Sequence, residues 1–447
     1  MNHIPVIAIF DIGKTNKKLF LFNENYHIVF EKSVHLDEIT DEDGFPCENL
    51  QSLNSFIFDS LNEAIKHTEF EIKAINFSAY GASFVNMGDK EKPISPLYNY
   101  LKPYPVKLSS ELYNKYGGEE TLSTETASPA LGSLNSGLQL YRLKNENHKV
   151  FNKLKFALHL PQYLSFLLTG KYCSEITSIG CHTALWDFSK HQYHQWAEDK
   201  GLLEKLAPIE NATQTAKIDY NSKRINVGIG MHDSSAALVP YLMNFQEPFI
   251  LISTGTWSIS LNPFNHSTLT VEELKEDCLS YFQYQGKPVK ASRLFLGQMH
   301  QQQCDRIAKH FNQDVTTYQE VKFSLALCNQ INKNYKSNLS FEELDLTTFS
   351  TYEEAYYGLM IYLVNKQYIS TKLILKNSNV KRIFVDGGFS KNSLFMNMLA
   401  QVFNEMEVFS ATMAQASALG AALVIHDAWN KTNIPTDLIN LNYYLVL

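Results

Sequence analysis

A repeated strand–turn–strand unit limits the folds that are open to this chain of 447 residues. Residues 6–10 form an apolar run rich in β-branched residues, which is typical of a buried central strand. A polar turn at 11–16 and a second strand at 18–22 follow. The same order returns about half a chain later, with a strand at 249–252, a turn at 253–256 and a strand at 257–261. Such self-similarity indicates two related halves.

The elements around these units predict α/β domains. A third strand at 27–30, an amphipathic helix at 52–66 and a strand at 72–77 give the order β-β-β-α-β in the first half. Residues 130–215 read as mostly helical. In the second half, we expect a helix at 352–376, a strand at 383–385 and a helix at 393–403. We place the domain boundary near 220–225 and expect domains at 1–222 and 223–447.

Composition excludes several classes of protein. The formal net charge of −7 argues against broad binding to nucleic acid or acidic membranes, although a small anion can still bind locally. Six scattered cysteines without a C-x-x-C pair indicate free thiols in a reducing compartment. No apolar run approaches the length of a membrane helix, and no basic region precedes the apolar N-terminal stretch. We therefore expect a cytoplasmic protein. We also expect a monomer or homodimer, a choice that composition leaves open.

The turn after the first strand is a candidate phosphate site. Its residues 13–15 read Gly-Lys-Thr, as at the end of a P-loop, but position 8 is Ala where that motif needs Gly, and a strand follows instead of a helix. A P-loop is therefore rejected. The remaining interpretations are an ordinary turn or a hairpin whose N–H groups face a phosphate, with Asp11 holding a hydrated Mg²⁺.

The turn at 253–256 lies at the equivalent place in the second half and carries hydroxyl groups and a glycine. Alone, it too could be an ordinary turn. Two such hairpins at matching positions favour a site in which both turns bind one triphosphate.

Two further segments could complete a site. Asp233 stands at the start of a predicted helix, where it could accept a proton from a hydroxyl group or merely cap the helix. The pair Gly387-Gly388 between a predicted strand and helix would let the backbone approach a flat ligand such as adenine. The spacing of His191 and His194 could suit a metal, but surface histidines are the better interpretation.

Together these segments resemble the FGGY family of carbohydrate kinases, within the actin, hexokinase and heat-shock-70 ATPase superfamily. The segments D-x-G-x-T-N, H-D-x-x-x-A, S-T-G-T-W-S and G-G-x-S-x-N follow in the family's order, before the small-residue stretch 416–422. His232-Asp233 followed by 253–257 is most similar to the rhamnulokinase and fuculokinase branch. The resemblance implies two ribonuclease-H-like domains around a central cleft, with ATP and Mg²⁺ as cofactors.

The resemblance also implies roles for individual residues. Asp233 would be the catalytic base, and Asp11 and Asp233 would hold Mg²⁺ through water. The residues around the phosphates would be Asp11, Gly13, Thr15, Asn16, Lys18, Thr254, Gly255 and Thr256. Those beside the adenosine would be Gly387, Gly388, Asn392 and Asn397. The sugar would contact Tyr80, Gly81, Ser83 and Tyr100, together with Asp233.

Several positions depart from the family pattern. Lys14 stands where Thr or Ala is usual, Phe389 replaces a glycine and Gln415 replaces a glutamate. Ser83 replaces an aspartate in the sugar-contacting stretch, and residues 100–104 replace a stretch that normally ends in Arg. The residues expected to bind phosphate and to act as base therefore match the family pattern, while those expected to contact the sugar depart from it.

The expected function is transfer of the γ-phosphoryl group of ATP to the primary hydroxyl of a ketose. The resemblance ranks L-rhamnulose first, L-fuculose next and xylulose behind them. Two alternatives stay open: an actin-like or chaperone-like ATPase, and a sugar-binding regulator without turnover.

Overall fold

Two seven-stranded sheets form the framework of the protein. The computed structural model describes residues 3–334, 340–376, 378–413 and 415–445. The strands of the first sheet are Ile4–Ile12 (β1), Asn16–Asn23 (β2), Ile28–His35 (β3), Phe70–Ala79 (β4), Thr215–Tyr220 (β5), Lys223–Gly228 (β6) and Met231–His232 (β7). Those of the second are Phe249–Thr254 (β8), Ser258–Asn262 (β9), Cys278–Phe282 (β10), Pro288–Leu294 (β11), Arg382–Gly387 (β12), Glu407–Thr412 (β13) and Asn440–Tyr444 (β14).

Helices cover both faces of these sheets. They are Leu50–Lys66 (α1), Val106–Lys115 (α2), Glu119–Glu125 (α3), Ser136–Glu146 (α4), His148–Lys153 (α5), Leu160–Thr169 (α6), Ile176–Ile179 (α7), Gln195–Asp199 (α8), Asp233–Asn244 (α9), Val271–Lys275 (α10), Leu296–Phe311 (α11), Leu325–Asn334 (α12), Tyr352–Leu375 (α13), Ser393–Val402 (α14) and Ala416–Val424 (α15). Short strand pairs, among them Phe84–Gly88 with Leu154–His159, lie outside the two main sheets.

The two sheets have the same central topology. The first has the order β5-β6-β4-β1-β2-β3, with β7 also paired to β4. The second has the order β10-β11-β9-β8-β12-β13-β14. In each, an antiparallel hairpin (β1–β2 or β8–β9) adjoins a parallel partner (β4 or β12). The predicted fold class of two ribonuclease-H-like α/β domains is confirmed by this shared order.

Strand β1 shows why the first sheet is buried on both faces. Ile7 and Ile9 pack toward α9 and α15, whereas Ala8 and Phe10 pack toward α1 and α6. Successive side chains of a strand point to opposite faces, so a continuous apolar run serves two helical layers. Each fully buried large aliphatic side chain contributes roughly 1.5–3 kcal/mol to folding.

Helices α9 and α15 form the layer between the two sheets. Ala236 and Val239 of α9 join the core of the first sheet, while Leu238 and Tyr241 join that of the second. A Cβ atom on Gly420 of α15 would overlap the carbonyl oxygen of Ala236. The small-residue stretch therefore allows α15 to lie against α9 at very short range.

The predicted domain limits, 1–222 and 223–447, divide the hairpin β5–β6, whose second strand pairs with β4 of the first sheet. The first sheet therefore extends to His232, and the next sheet begins at Phe249. Residues 130–215 are also less helical than predicted, because the short helices α4–α8 alternate with loops and with the strand Leu154–His159. Residues between Leu112 and Leu206, together with Phe84, form a separate small core that includes Trp196.

None of the helices described between residues 3 and 445 has both the length and the apolar character that crossing a bilayer requires.

Candidate active site

The first sheet brings two carboxylates to one edge. Strands β1, β4 and β7 run parallel, and Ser78 of β4 pairs with Asp11 on one side and with Met231 on the other. Asp233 follows β7 directly and is the first residue of α9. Ligands of open α/β sheets bind at the carboxyl ends of parallel strands, where these two aspartates lie.

Asp233 is not the N-cap of α9. His232 occupies that position, without a side-chain capping bond. The Asp233 Oδ1 atom accepts a 2.6 Å hydrogen bond from the Ser234 N–H and lies 3.2 Å from His232 Nε2. Oδ2 accepts no hydrogen bond from the residues that the structure describes, and the side chain remains 35% exposed. One carboxylate oxygen is therefore available to a ligand.

Burial tunes both carboxyl groups. It raises the pKa of Asp233 to about 6. Burial, together with the negative charge of Asp233, also raises the pKa of Asp11 to about 6, although a 3.0 Å hydrogen bond from Ser417 Oγ opposes the shift. The two carboxylates repel each other when both are ionised, and a divalent cation bound between them would offset this repulsion.

The residues at this edge fit a hydrated Mg²⁺ better than a fully protein-coordinated ion. Within the described ranges, no cluster of three or more His, Cys, Asp or Glu side chains could hold a metal. Mg²⁺ usually keeps several waters and takes one or two carboxylates plus substrate phosphates. Asp11 and Asp233 would supply those carboxylates.

A cavity of about 810 Å³ opens beside Asp233. The first domain contributes an aromatic and apolar wall, and β9–β11 of the second sheet close the opposite side. Its lining residues are Tyr80, Gly81, Ala82, Tyr100, Leu101, Lys102, Pro103, Tyr104, Leu131, Gly132, Ser133, Leu134, His182, His232, Asp233, Ser234, Trp257, Ile259, Tyr281 and Arg293.

Of the predicted sugar contacts, Tyr80, Gly81, Tyr100 and Asp233 line this cavity. Ser83 does not. Its side chain is buried and its hydroxyl donates a 3.1 Å hydrogen bond to the Tyr98 carbonyl oxygen. The chain turns at Ala82, whose φ is 65°, and this turn carries Ser83 away from the cavity. We therefore leave Ser83 out of the site that we propose below.

Several cavity residues were not predicted from the sequence. His182 and His232 both face the cavity as neutral rings, because burial lowers their pKa values to about 3 and about 4. His232 stacks on Tyr281, with ring centroids 5.9 Å apart. Arg293 enters from β11. Nothing in the local sequence marks either Arg293 or His182 as a cavity residue.

A second cavity, of about 520 Å³, lies at the carboxyl end of the second sheet. Its lining residues are Gly255, Gly297, His300, Tyr318, Gln319, Val321, Gly388, Phe389, Lys391, Asn392 and Ser393. The mixture of glycine backbone, aromatic rings and polar side chains suits a nucleoside. Of the predicted adenosine residues, Gly388 and Asn392 lie here.

Of the remaining residues predicted to bind the nucleotide, Gly387 and Thr254 shape the turn that lines this cavity, and Asn397 lies outside the cavity lining. Gly387 has φ of 80°, and a Cβ atom there would overlap the Thr254 carbonyl oxygen. The Thr254 hydroxyl accepts a 3.0 Å hydrogen bond from the Phe389 N–H and donates to the Asp386 carbonyl oxygen. Thr254 thus holds the glycine turn in place. Asn397 does not line the cavity, and its amide donates to the Ser393 carbonyl oxygen at 2.7 Å.

The turn after β8 separates the two cavities. Gly255 lines the second cavity and Trp257 lines the first, while the intervening Thr256 is exposed. A smaller cavity, of about 200 Å³, is lined by Asp233, Ser253 and Ser417 among others. A phosphate chain lying past this turn would reach from a nucleoside to Asp233.

The first hairpin turn follows Asp11, which accepts a hydrogen bond from Ser417 of the small cavity. The Gly13 N–H donates a 3.0 Å hydrogen bond to the Asn16 carbonyl oxygen, while the side chains of Thr15 and Asn16 are exposed. Lys18 pairs with Asp11 across β1 and β2, and its Nζ lies 3.6 Å from Glu31. None of these four residues lines the three cavities described above.

Two family models match this chain. Residues 6–237 match the model of the N-terminal domain of the FGGY family of carbohydrate kinases, and residues 348–428 match that of its C-terminal domain. The chain belongs to the FGGY family of carbohydrate kinases. The predicted membership of this family is thereby confirmed.

The relatives of this FGGY chain are distant in sequence. It is 26% identical over 264 residues to a rhamnulokinase from Halalkalibacterium halodurans, an alignment covering 56% of this chain and 54% of that protein. It is 23% identical over 453 residues to a xylulose kinase from Lactococcus lactis, covering 93% and 86%. The chain thus matches about half the length of the rhamnulokinases.

A solved carbohydrate kinase from Novosphingobium aromaticivorans has the same fold. Its TM-score is 0.81 at 22% sequence identity, with 99% of this chain and 95% of that chain covered.

Proposed function

We propose that this FGGY chain is an ATP-dependent sugar kinase that phosphorylates the primary hydroxyl of a ketose. The observation that carries the proposal is the position of Asp233, which borders both the large cavity and the small cavity leading toward the turn after β8. A carboxylate between an acceptor site and a phosphate path is what phosphoryl transfer requires.

In the proposed reaction, the free Oδ2 of Asp233 accepts the proton of the sugar hydroxyl. The hydroxyl oxygen forms a bond to the γ-phosphorus, the bond from that phosphorus to the bridging oxygen breaks, and ADP leaves with the electron pair. The pKa of about 6 keeps Asp233 ionised at neutral pH while leaving it basic enough to accept a proton.

The phosphate charge would be neutralised from both domains. We assign this role to the backbone N–H groups of the two hairpin turns, to Lys18 and to the exposed Thr256 hydroxyl. Mg²⁺, when bound through Asp11 and Asp233, would supply electrostatic stabilisation of the transferring phosphoryl group. Because the reaction draws on ATP, we also propose a cytoplasmic enzyme.

For the acceptor, we propose L-rhamnulose, giving L-rhamnulose 1-phosphate, with L-fuculose and xylulose as alternatives. The cavity wall favours a 6-deoxy sugar, since Leu101, Pro103, Leu131 and Leu134 offer apolar contacts to a methyl group. The names of the relatives agree in part, because both rhamnulokinases and a xylulose kinase are similar to this chain.

A sugar-dependent ADP-release assay tests the proposal. Purified protein with Mg-ATP would be screened against ketopentoses and 6-deoxyketohexoses, and the product would be identified by mass spectrometry and phosphorus NMR. We expect one ketose to stimulate ADP release many-fold and to appear as a monophosphate. ATP hydrolysis unaffected by any sugar would favour the ATPase alternative instead. Mg-ATP binding without turnover on any sugar would favour the regulator.

A further inference from the structure

The wall that the second domain contributes to the large cavity contains an arginine with unused hydrogen-bonding capacity. Arg293 of β11 is only 12% exposed, and its Nη2 donates a 2.5 Å hydrogen bond to Asp277 Oδ1. Its Nε is buried and has no partner among the residues that the structure describes. A guanidinium carries five N–H donors, so this one is poorly satisfied for a buried charged group.

Strand register directs Arg293 toward the cavity. It pairs with Ile259 of β9, and both residues line the cavity. Ser292, the preceding residue of β11, points the other way and donates a 2.8 Å hydrogen bond to the Ser370 carbonyl oxygen in α13. Since side chains alternate along a strand, Arg293 faces the first domain across the cleft.

Lys102 also lines the large cavity, but its positive charge is already balanced. Lys102, on the first domain, lies 2.5 Å from Asp41 Oδ2 and 2.7 Å from Asp43 Oδ2. Two carboxylates therefore hold its single ammonium group. Arg293 has one carboxylate, Asp277, whose side chain is 40% exposed and thus partly screened by solvent.

An indole ring holds the guanidinium in place. The Cζ atom of Arg293 lies 5.6 Å from the centre of the Trp257 ring, within cation–π range, and Trp257 packs against Phe295 with ring centroids 4.4 Å apart. The guanidinium is thereby preorganised, and less side-chain entropy is lost when it binds a ligand oxygen.

We propose that Arg293 is a specificity-determining residue that donates hydrogen bonds to a substrate oxygen other than the phosphorylated hydroxyl. The proposal rests on the sugar kinase function above. The recognised group is an oxygen acceptor, either a hydroxyl of a neutral ketose or the carboxylate of a sugar acid. Because Arg293 belongs to the second domain and most of the cavity to the first, this contact would link sugar binding to approach of the two domains.

The test is steady-state kinetics of Arg293→Gln with the sugar that the wild-type protein phosphorylates. We expect the KM for sugar to rise about 10- to 100-fold, the usual effect of losing a hydrogen bond to a charged group, with a much smaller change in kcat. The KM for ATP should stay unchanged, since Arg293 does not line the nucleotide cavity. Arg293→Lys should recover part of the sugar affinity.

Two variants serve as controls. Arg382→Gln removes an arginine of the same sheet that pairs with Glu247 and Glu407 away from the cavity, and should leave the KM for sugar unchanged. Asp277→Asn keeps the guanidinium and should raise that KM far less than Arg293→Gln. Kinetics with neutral ketoses and with aldonic acids identify the oxygen that Arg293 binds. The KM should rise selectively in Arg293→Gln for the class of sugar that the wild type prefers.

The outcomes separate this proposal from the one on which it rests. If the wild type phosphorylates no sugar, the kinase function itself fails. If the wild type is active but Arg293→Gln leaves the KM for sugar unchanged, or lowers kcat alone, Arg293 does not bind the sugar and the inference is wrong. An equal rise in the KM values for sugar and ATP would indicate a structural role and would also overturn it.

Discussion

At the residue scale, the raised pKa of Asp233 predicts the pH dependence of the reaction. A carboxyl group with a pKa of about 6 loses its basic form as pH falls through that value. We therefore expect kcat/KM to be flat between pH 7 and 8 and to fall on the acid side of about pH 6. Asp11, with a pKa also of about 6, can steepen this limb. A limb near pH 4, the ordinary value for aspartate, would contradict the account.

The same burial predicts that Asp233 costs stability at neutral pH. Its pKa is higher in the folded than in the unfolded chain, so the folded state loses stability as pH rises from the unfolded value of 3.8 through about 6. Asp233→Asn should therefore raise the free energy of unfolding at pH 7.5, by an amount on the order of 1 kcal/mol after allowance for solvent screening. At pH 3.5 the gain should vanish. Thermal melts at both pH values check this, and a gain that is independent of pH would contradict it.

Single residues also show how far the sequence could predict the site. Asp233 was identifiable because its neighbours form a recognisable family segment. Ser83 was assigned to the sugar by analogy with an aspartate, but a left-handed turn at Ala82 removes it from the cavity. Arg293 and His182 reach the cavity through long-range sheet and loop geometry, which local sequence patterns do not encode.

At the element scale, the turn between β12 and α14 offers a matched pair of glycines. Gly387 has φ of 80° and touches the Thr254 backbone, whereas Gly388 has helical φ and ψ of −63° and −45° with open space around it. Gly387→Ala should lower the free energy of unfolding by about 1–3 kcal/mol and weaken nucleotide binding. Gly388→Ala should cost little stability. Denaturation and calorimetry with ADP check both, and equal stability losses would contradict this reading of the turn.

Long, strongly apolar elements were predictable, and short ones were not. Helix α13 was predicted at 352–376 and spans Tyr352–Leu375. The two-residue strand β7 was missed, although it aligns Asp233 with Asp11. Its pairing with β4 depends on residues far apart in the chain.

At the scale of the whole molecule, the duplicated strand–turn–strand unit made the two-sheet architecture predictable, but it did not predict the full strand order. Two strand–turn–strand units predicted two similar sheets, and the observed strand orders agree. The order of strands β5 and β6 was not predictable, because a hairpin late in the first domain returns to pair with β4. The helices α9 and α15 then pack between the sheets, and residues of both domains line the large cavity.

The central claim is that the Asp233 carboxylate accepts the proton of the sugar hydroxyl between two cavities. The most direct test is kcat of Asp233→Asn with the identified sugar, beside Asp219→Asn, which alters an exposed aspartate of β5. We expect Asp233→Asn to lose about 10²- to 10⁴-fold in kcat and Asp219→Asn to match the wild type. If folded Asp233→Asn turned over at the wild-type rate, the assigned role of this residue would be wrong.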